Sequence, residues 1–327
     1  MLRLSTQQGV RLNQAGQLAV HYGGAEANVA VSLSHFGYQA YFVSKIPANP
    51  LGEAVERHLN SHGVKTDFLK KGGQRLGSYY VETGVGERSA QVTYDRKNSS
   101  FSDLKAEEIE IEKILSGASL IHVTGITMAL SPSLQKFVLQ LFQKAKEMGI
   151  KVSFDFNYRA KLWTQQEAAL VFKQIMPFIN ICFCGELDVV HMLDLPQADI
   201  MLPAEERLKM YYQTIQEQFP NIEYFSSTFR TVISASSNHL QGNLYTGGKL
   251  YQSKVHMLDP IIDRIGGGDS FAAGILWGIL EGLPARQIIS FAAAASALKH
   301  TVYGDCNPFS REEVLQFAAT ETGEINR

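Results

Sequence analysis

The chain of 327 residues exceeds what one simple core usually needs, and its composition, 45% hydrophobic and 19% charged, is that of a globular protein rather than a disordered one. A formal net charge of −2 leaves no broad basic surface for nucleic acid or anionic lipid, although a few local arginines can still hold a small anion. Three cysteines, Cys182, Cys184 and Cys306, do not make a disulfide framework or a zinc site and read as ordinary buried thiols. The sequence carries no basic-then-apolar leader and no apolar run of membrane-spanning length, so a cytoplasmic protein without a membrane partner is expected.

No repeat, low-complexity tract or Pro/Ser linker divides the chain, and a single domain over 1–327 is expected. Between Ala25 and Phe36, the residues Val29, Ala30, Leu33 and Phe36 fall on one helical stripe, and Gly37 follows as a stop. A strand from Tyr41 to Ile46 and a helix ending at Gly63 come next. Ser78 to Glu82 and Ser89 to Arg96 are rich in Tyr, Val and Thr and flank Gly84-Val85-Gly86, which predicts a β-hairpin. With extended residues near Arg11 to Tyr22 it can form a small sheet outside the main one, a lid over a ligand crevice built from about 9–23 and 76–101.

Further on, Ser119 to Val123 reads as a buried strand. Ser131-Pro132 then caps a helix carrying Leu134, Phe137, Val138, Leu141 and Phe142, which stops at Gly149. Val152 to Phe156 is another strand, and Thr164 to Glu167 is a capping box that opens the next helix. This alternation predicts an α/β fold with a doubly wound, mostly parallel sheet flanked by helices, whose ligands bind beyond the carboxyl ends of the strands.

The chemistry concentrates at Asp263 to Asp269, D-R-I-G-G-G-D, followed by an apolar helical run from Ser270. Gly266, Gly267 and Gly268 let backbone approach a ligand, and the helix start offers unpaired N–H groups and a positive dipole end, a hole for an anion. Asp269 would repel a phosphate at rest. A base that accepts a proton from a substrate hydroxyl explains its location, while the plainer alternative is a helix N-cap. No Walker-type loop and no dinucleotide fingerprint occurs.

These residues resemble the ribokinase-like (PfkB) carbohydrate kinases. The C-terminal motif of that family appears as D-R-I-G-G-G-D-S-F-A-A-G from Asp263 to Gly274, and the N-terminal one as Gly23-Gly24-Ala25-Glu26-Ala27-Asn28-Val29-Ala30. Within the family, G-G-A-E-A-N-V-A together with Tyr94-Asp95-Arg96 is most similar to the 2-keto-3-deoxygluconate kinases. The resemblance implies ATP-dependent phosphorylation of a hydroxyl on that sugar acid, with Asp269 as base and Gly266–Gly268 as anion hole. It implies substrate contacts from Gly24, Asn28, Tyr80, Tyr94, Arg96, Arg159 and Asp305. A planar guanidinium suits a carboxylate, but solvation for Arg96 and strand packing for the two tyrosines are the plainer alternatives.

The resemblance also implies a nucleotide site with Ser234, Ser236, Gly266 and Gly268, fed by a strand from Thr231. The Ala-rich helix from Phe291 to Leu298 walls adenine or simply packs closely. Mg²⁺ is expected mainly on ATP phosphates and water, with Glu186 and Asp188 reaching it through water; a requirement for a monovalent cation is left open. An apolar lid would favour a homo-oligomer formed lid to lid.

Three features depart from the family pattern. The chain opens Met1-Leu2-Arg3-Leu4-Ser5, without the short strand ending in Gly-Glu or Gly-Asp that relatives carry before this point, so a later start and a less stable fold are expected. Arg264 replaces the usual Thr and is expected to face solvent, meet a phosphate or pair with an acid. Gly185 replaces the Asn of N-x-x-E. The competing activities are a fructokinase or other neutral-sugar kinase of the same fold, and a catalytically silent sugar-binding relative.

Overall fold

The structure, a computed structural model, describes residues 1–319; the last eight residues of the expected domain lie outside them. The chain gathers into two compact units, one from residues 1–101, 228–242 and 252 onward, the other from 102–227 and 243–251.

The first unit opens with β1 (Leu2–Ser5), β2 (Ala19–Tyr22), α1 (Ala25–His35), β3 (Ser44–Ile46), α2 (Pro50–Ser61), β4 (Leu69–Lys71), β5 (Ser78–Glu82) and β6 (Gln91–Asp95). The hairpin β5–β6 forms as its alternating Tyr/Val/Thr content predicts, and it belongs to a four-stranded sheet ordered β2-β1-β5-β6. The strand β1 is an addition to the expected sheet: it lies antiparallel to β2 and parallel to β5, so the opening Leu-Arg-Leu-Ser is a central strand rather than a frayed end. The expected strand from Tyr41 is shorter than predicted. Tyr41 makes only an isolated bridge to Lys65, and regular pairing covers just Ser44–Ile46, because its one neighbour β4 is equally short.

The second unit holds α3 (Ile111–Leu115), β7 (Leu120–Thr124), α4 (Gly125–Leu130), α5 (Pro132–Glu147), β8 (Lys151–Asp155), α6 (Gln165–Ile175), β9 (Ile181–Phe183), α7 (Glu186–Met192) and α8 (Ala204–Gln218). It also holds the near ends of β10 (Tyr224–Ser234) and β11 (Ser237–Thr246), and most of β12 (Lys249–Gln252). Strands β7, β8, β9 and β10 pair side by side in parallel. Both predicted caps are present. Ser131 accepts from the N–H of Leu134, and Thr164 and Glu167 satisfy each other's backbone donors. Phe142, Phe154, Phe156 and Phe172 are fully buried and meet edge to face or tilted; burying each contributes about 1.5–3 kcal/mol.

The chain returns to the first unit with the far ends of β10 and β11, then β13 (His256–Leu258), α9 (Gly267–Leu280), α10 (Ala285–Lys299) and α11 (Arg311–Ala319). Helix α9 is apolar on nearly every side because it is buried against α1 and α10. A Cβ on Gly274 would come within 2.6 Å of Ala292 Cα, so the small residues of α10 serve close helix packing. Ala292, Ala293, Ala294 and Ala295 are fully buried in that contact layer, the packing alternative for this helix.

Candidate active site

The D-R-I-G-G-G-D turn is the entry to α9, and its glycines have separate reasons. Gly266 is the N-cap in a left-handed conformation (φ 83°), and a Cβ there would lie 1.8 Å from the carbonyl oxygen of Asp305. A Cβ on Gly267 would strike the His300 ring at 2.4 Å, whereas one on Gly268 would meet nothing within 4 Å. The turn is therefore packed on one side and open on the other, with the first amides of a 14-residue helix lacking intrahelical acceptors. Asp269 is the third helical residue and not the cap, since Gly266 holds that place without any side-chain bond.

Asn28 stands one turn into α1, whose first backbone bond runs from its N–H to Gly24 O. Its side chain is buried and donates from Nδ2 to Asp269 Oδ2 at 2.7 Å. The two family motifs thus meet in one hydrogen bond. Cys306 fixes the orientation of that amide, its thiol lying 3.6 Å from Asn28 Oδ1 and 3.6 Å from His58 Nε2. Burial first, then the charges of Asp305 and Asp269, push the Cys306 thiol up to about 12, so it stays a neutral donor.

Asp305 is buried and already engaged. Arg3 Nη1 bonds its Oδ1 at 2.9 Å, the hydroxyl of Tyr79 donates to its Oδ2, and a Cβ on Gly23 would overlap that carboxylate. The same Arg3 reaches Asp263 Oδ2 at 2.7 Å. Burial pulls the Arg3 guanidinium down, but the two carboxylates together hold it above the ordinary arginine value. Asp263 also accepts from the N–H of Ile265 and Gly304, each at 3.1 Å, which pins the turn to the loop after α10. From below, Ser296 Oγ donates to Gly267 O at 2.8 Å. His300 Nδ1 donates to Ser296 O at 2.6 Å, and burial pushes this ring down to about 4, so it is a neutral support under the turn.

In the hairpin, Tyr94 faces Tyr79 across the ladder and stacks on it, ring centroids 5.8 Å apart. Arg96 is buried, with its guanidinium carbon 4.2 Å above the Tyr94 ring. Tyr80 pairs with Thr93 instead, and alternation turns it to the opposite face from Tyr94. The tyrosine that joins Tyr94 is Tyr79, and the doublet Tyr79-Tyr80 carried that choice in the sequence. Ser234 and Ser236 sit at the β10–β11 turn. Ser234 Oγ accepts from Ser236 N–H at 3.1 Å, and Ser236 Oγ accepts from Gly86 N–H at 3.2 Å. Arg264 is half-buried and forms no ion pair among the described residues.

In the second unit, Arg159 is exposed and donates to Tyr158 O at 3.0 Å. Glu186 is held by a two-point ion pair with Arg207, at 2.8 and 3.1 Å. Asp188 caps α7 by accepting the Gly185 N–H at 2.8 Å; burial raises its carboxyl above the usual range, against the pull of that bond and of Arg159. No group of three or more His, Cys, Asp and Glu among the described residues could hold a metal ion unaided. No helix among them is long and apolar enough to cross a membrane.

An acid at the third position of a glycine-entered helix, held by an asparagine from the first helix, is the candidate site on this α/β scaffold. The model of the pfkB family carbohydrate kinases matches residues 3–312, and the chain belongs to that family: it is a sugar kinase of the ribokinase-like fold, and membership implies the use of ATP and Mg²⁺. It is 32% identical to a 2-dehydro-3-deoxygalactonokinase of Haloferax volcanii, over 96% of this chain and 92% of that one. With a 2-dehydro-3-deoxygluconokinase of Bacillus subtilis the identity is 25%, over 95% and 90%. The crystal structure of a 2-dehydro-3-deoxygluconokinase from Thermotoga maritima superposes with a TM-score of 0.94 at 38% identity, covering 98% of this chain and 97% of that one. That of a PfkB family carbohydrate kinase from Listeria grayi gives 0.93 at 42%, with the same coverage.

Proposed function

We propose that this kinase phosphorylates a hydroxyl of 2-keto-3-deoxygluconate, with Asp269 as the general base. The observation that carries the reading is the Asn28–Asp269 bond of 2.7 Å at the mouth of the glycine turn. Asn28 orients the Asp269 carboxylate, which accepts the hydroxyl proton while charge develops beside the amides of Gly266, Gly267 and Gly268. These amides suit the transferring phosphoryl group of ATP. Mg²⁺ would supply charge neutralisation on the phosphates.

Relatives named for 2-keto-3-deoxy sugar acids support the substrate class. The buried Arg96 stacked on Tyr94 suits the substrate carboxylate, and the sheet β2-β1-β5-β6 that presents it is the lid in this reading. Val20, exposed on the face of that sheet turned away from Tyr94, favours pairing of two copies through it. For Tyr80, Arg159, Asp188, Ser234 and Ser236 the family resemblance alone supports ligand roles. Glu186, already paired with Arg207, is the weaker of the two acids for the Mg²⁺ water shell. Asp305 holds Arg3 and Tyr79, and its contact with sugar likewise rests on the family resemblance alone. Consumption of cytoplasmic ATP fits a single kinase domain in that compartment.

The test is ADP release measured over 2-keto-3-deoxygluconate, its galactonate epimer, fructose and ribose. Turnover on the sugar acids is the expected result. Activity confined to neutral sugars would overturn the substrate assignment and leave a fructokinase-like enzyme.

A further inference from the structure

Lys299 closes α10 with no exposed surface at all. Lysine is almost never fully buried, because an ammonium loses its hydration shell on leaving water. A cation near a helix C-terminus is favoured by the dipole, but a solvated lysine would serve that purpose equally. The head group of Lys299 instead turns inward. Its Nζ donates to the main-chain oxygen of Asp263 at 3.3 Å and to that of Val302 at 3.4 Å. The carboxylate of Asp263 is engaged by Arg3, Ile265 and Gly304, so the ammonium donates to main-chain carbonyls rather than to a carboxylate.

Main-chain carbonyls that replace a hydration shell are what a bare monovalent cation such as K⁺ takes as ligands. One of these two carbonyls belongs to Asp263, the first residue of the anion-binding turn, and the other to the loop that carries Asp305 and Cys306. Buried charge from Asp263 and Asp305 opposes the loss of the proton that desolvation promotes at Lys299.

We propose that the Lys299 ammonium is a built-in monovalent cation, which ties the Gly266–Gly268 turn to the loop after α10 and frees the enzyme from any need for dissolved K⁺. It is a positioning residue, acting through backbone carbonyls and not on substrate. A methionine would pack the same space without a buried charge, so packing does not account for the ammonium. For its turnover arm the inference rests on the kinase reading; its thermal arm does not.

The wild-type enzyme, assayed at constant ionic strength in tetramethylammonium chloride with or without KCl, should turn over at rates equal within about twofold, and activation by K⁺ of about tenfold or more would overturn the proposal. Lys299→Ala, which leaves room for an ion, should melt earlier and turn over more slowly in tetramethylammonium chloride. K⁺ or NH₄⁺ should restore both. Lys299→Met, which fills the room, should show the loss without the rescue. If Lys299→Ala does not fold in tetramethylammonium chloride, folding on addition of K⁺ or NH₄⁺ is the supporting result. A Lys299→Ala protein whose melting temperature is the same in all three salts would overturn the proposal. Absence of sugar-acid turnover in the wild type would sink the sugar-acid reading alone, and the melting comparison would still decide this one.

Discussion

Arg3→Met removes the guanidinium that bridges two buried carboxylates, while keeping most of the side-chain volume. The side chains of Arg3, Asp263 and Asp305 are only 4%, 6% and 2% exposed, so water cannot substitute for the lost partner. Breaking a buried pair from one side costs about 3–5 kcal/mol. The lower end applies here, because Asp263 keeps the N–H groups of Ile265 and Gly304, and Asp305 keeps the Tyr79 hydroxyl. A loss of about 3 kcal/mol is a large part of the 5–15 kcal/mol that typically holds a folded protein together. Urea unfolding followed through Trp277, in a Trp163→Phe background so that only the first unit reports, should show a lower midpoint at similar slope. Adding Asp263→Asn and Asp305→Asn should recover at least half of the loss, since neutral partners need no counter-charge. A single variant within about 0.5 kcal/mol of wild type, the range of ordinary surface changes, would refute the argument. So would a neutralised triple variant no better than Arg3→Met.

Arg96→Ala should raise KM for a sugar acid by about 10–100-fold, the worth of a charged hydrogen bond, and leave turnover of any neutral sugar nearly unchanged; equal effects on both would remove the carboxylate role. Gly268→Ala should fold normally, as its Cβ meets nothing within 4 Å, yet weaken ATP binding or turnover, whereas Gly266→Ala should fail in thermal melts because its Cβ meets Asp305 O at 1.8 Å. His300, down at about 4 when folded and near 6.5 when unfolded, binds its proton more readily in the unfolded chain. Its contribution is complete above pH 6.5 and is lost as pH falls toward 4, the loss reaching about 2 kcal/mol at pH 5. Unfolding free energies at pH 5 and 7 should therefore differ less in His300→Asn than in wild type, and an unchanged difference would exclude His300 as the source.

The elements that local chemistry specifies were legible in the sequence. Thr164 to Glu167, Ser131-Pro132 and the Tyr/Val/Thr hairpin each carry their own signal within a few residues, and each forms as read. The glycine turn and Asp269 were legible for the same reason, and Asn28 through its motif. What the sequence concealed depends on long-range packing. Arg3 meets Asp305 across 302 positions and Tyr79 meets it across 226, and no local pattern announces such pairs. The strand β1 is only four residues long, too short for a periodic signal, and its partners β2 and β5 come later in the chain. Tyr80 and Tyr94 were both expected as substrate contacts, and the register, which pairs Tyr94 with Tyr79 and turns Tyr80 to the opposite face, could not be read from the sequence. Ser296, His300 and Lys299 sit at the end of an alanine-rich helix that reads simply as packing, and only the fold reveals what lies above them.

In the proposed reaction Asp269 takes the proton from the sugar hydroxyl. Asp269→Asn keeps the side-chain shape beside Asn28 and removes the base. With 2-keto-3-deoxygluconate as substrate, ADP release should fall by about two or more orders of magnitude, while the melting temperature and the sugar Kd stay near wild type. Turnover within a few-fold of wild type in a folded Asp269→Asn protein would contradict the account.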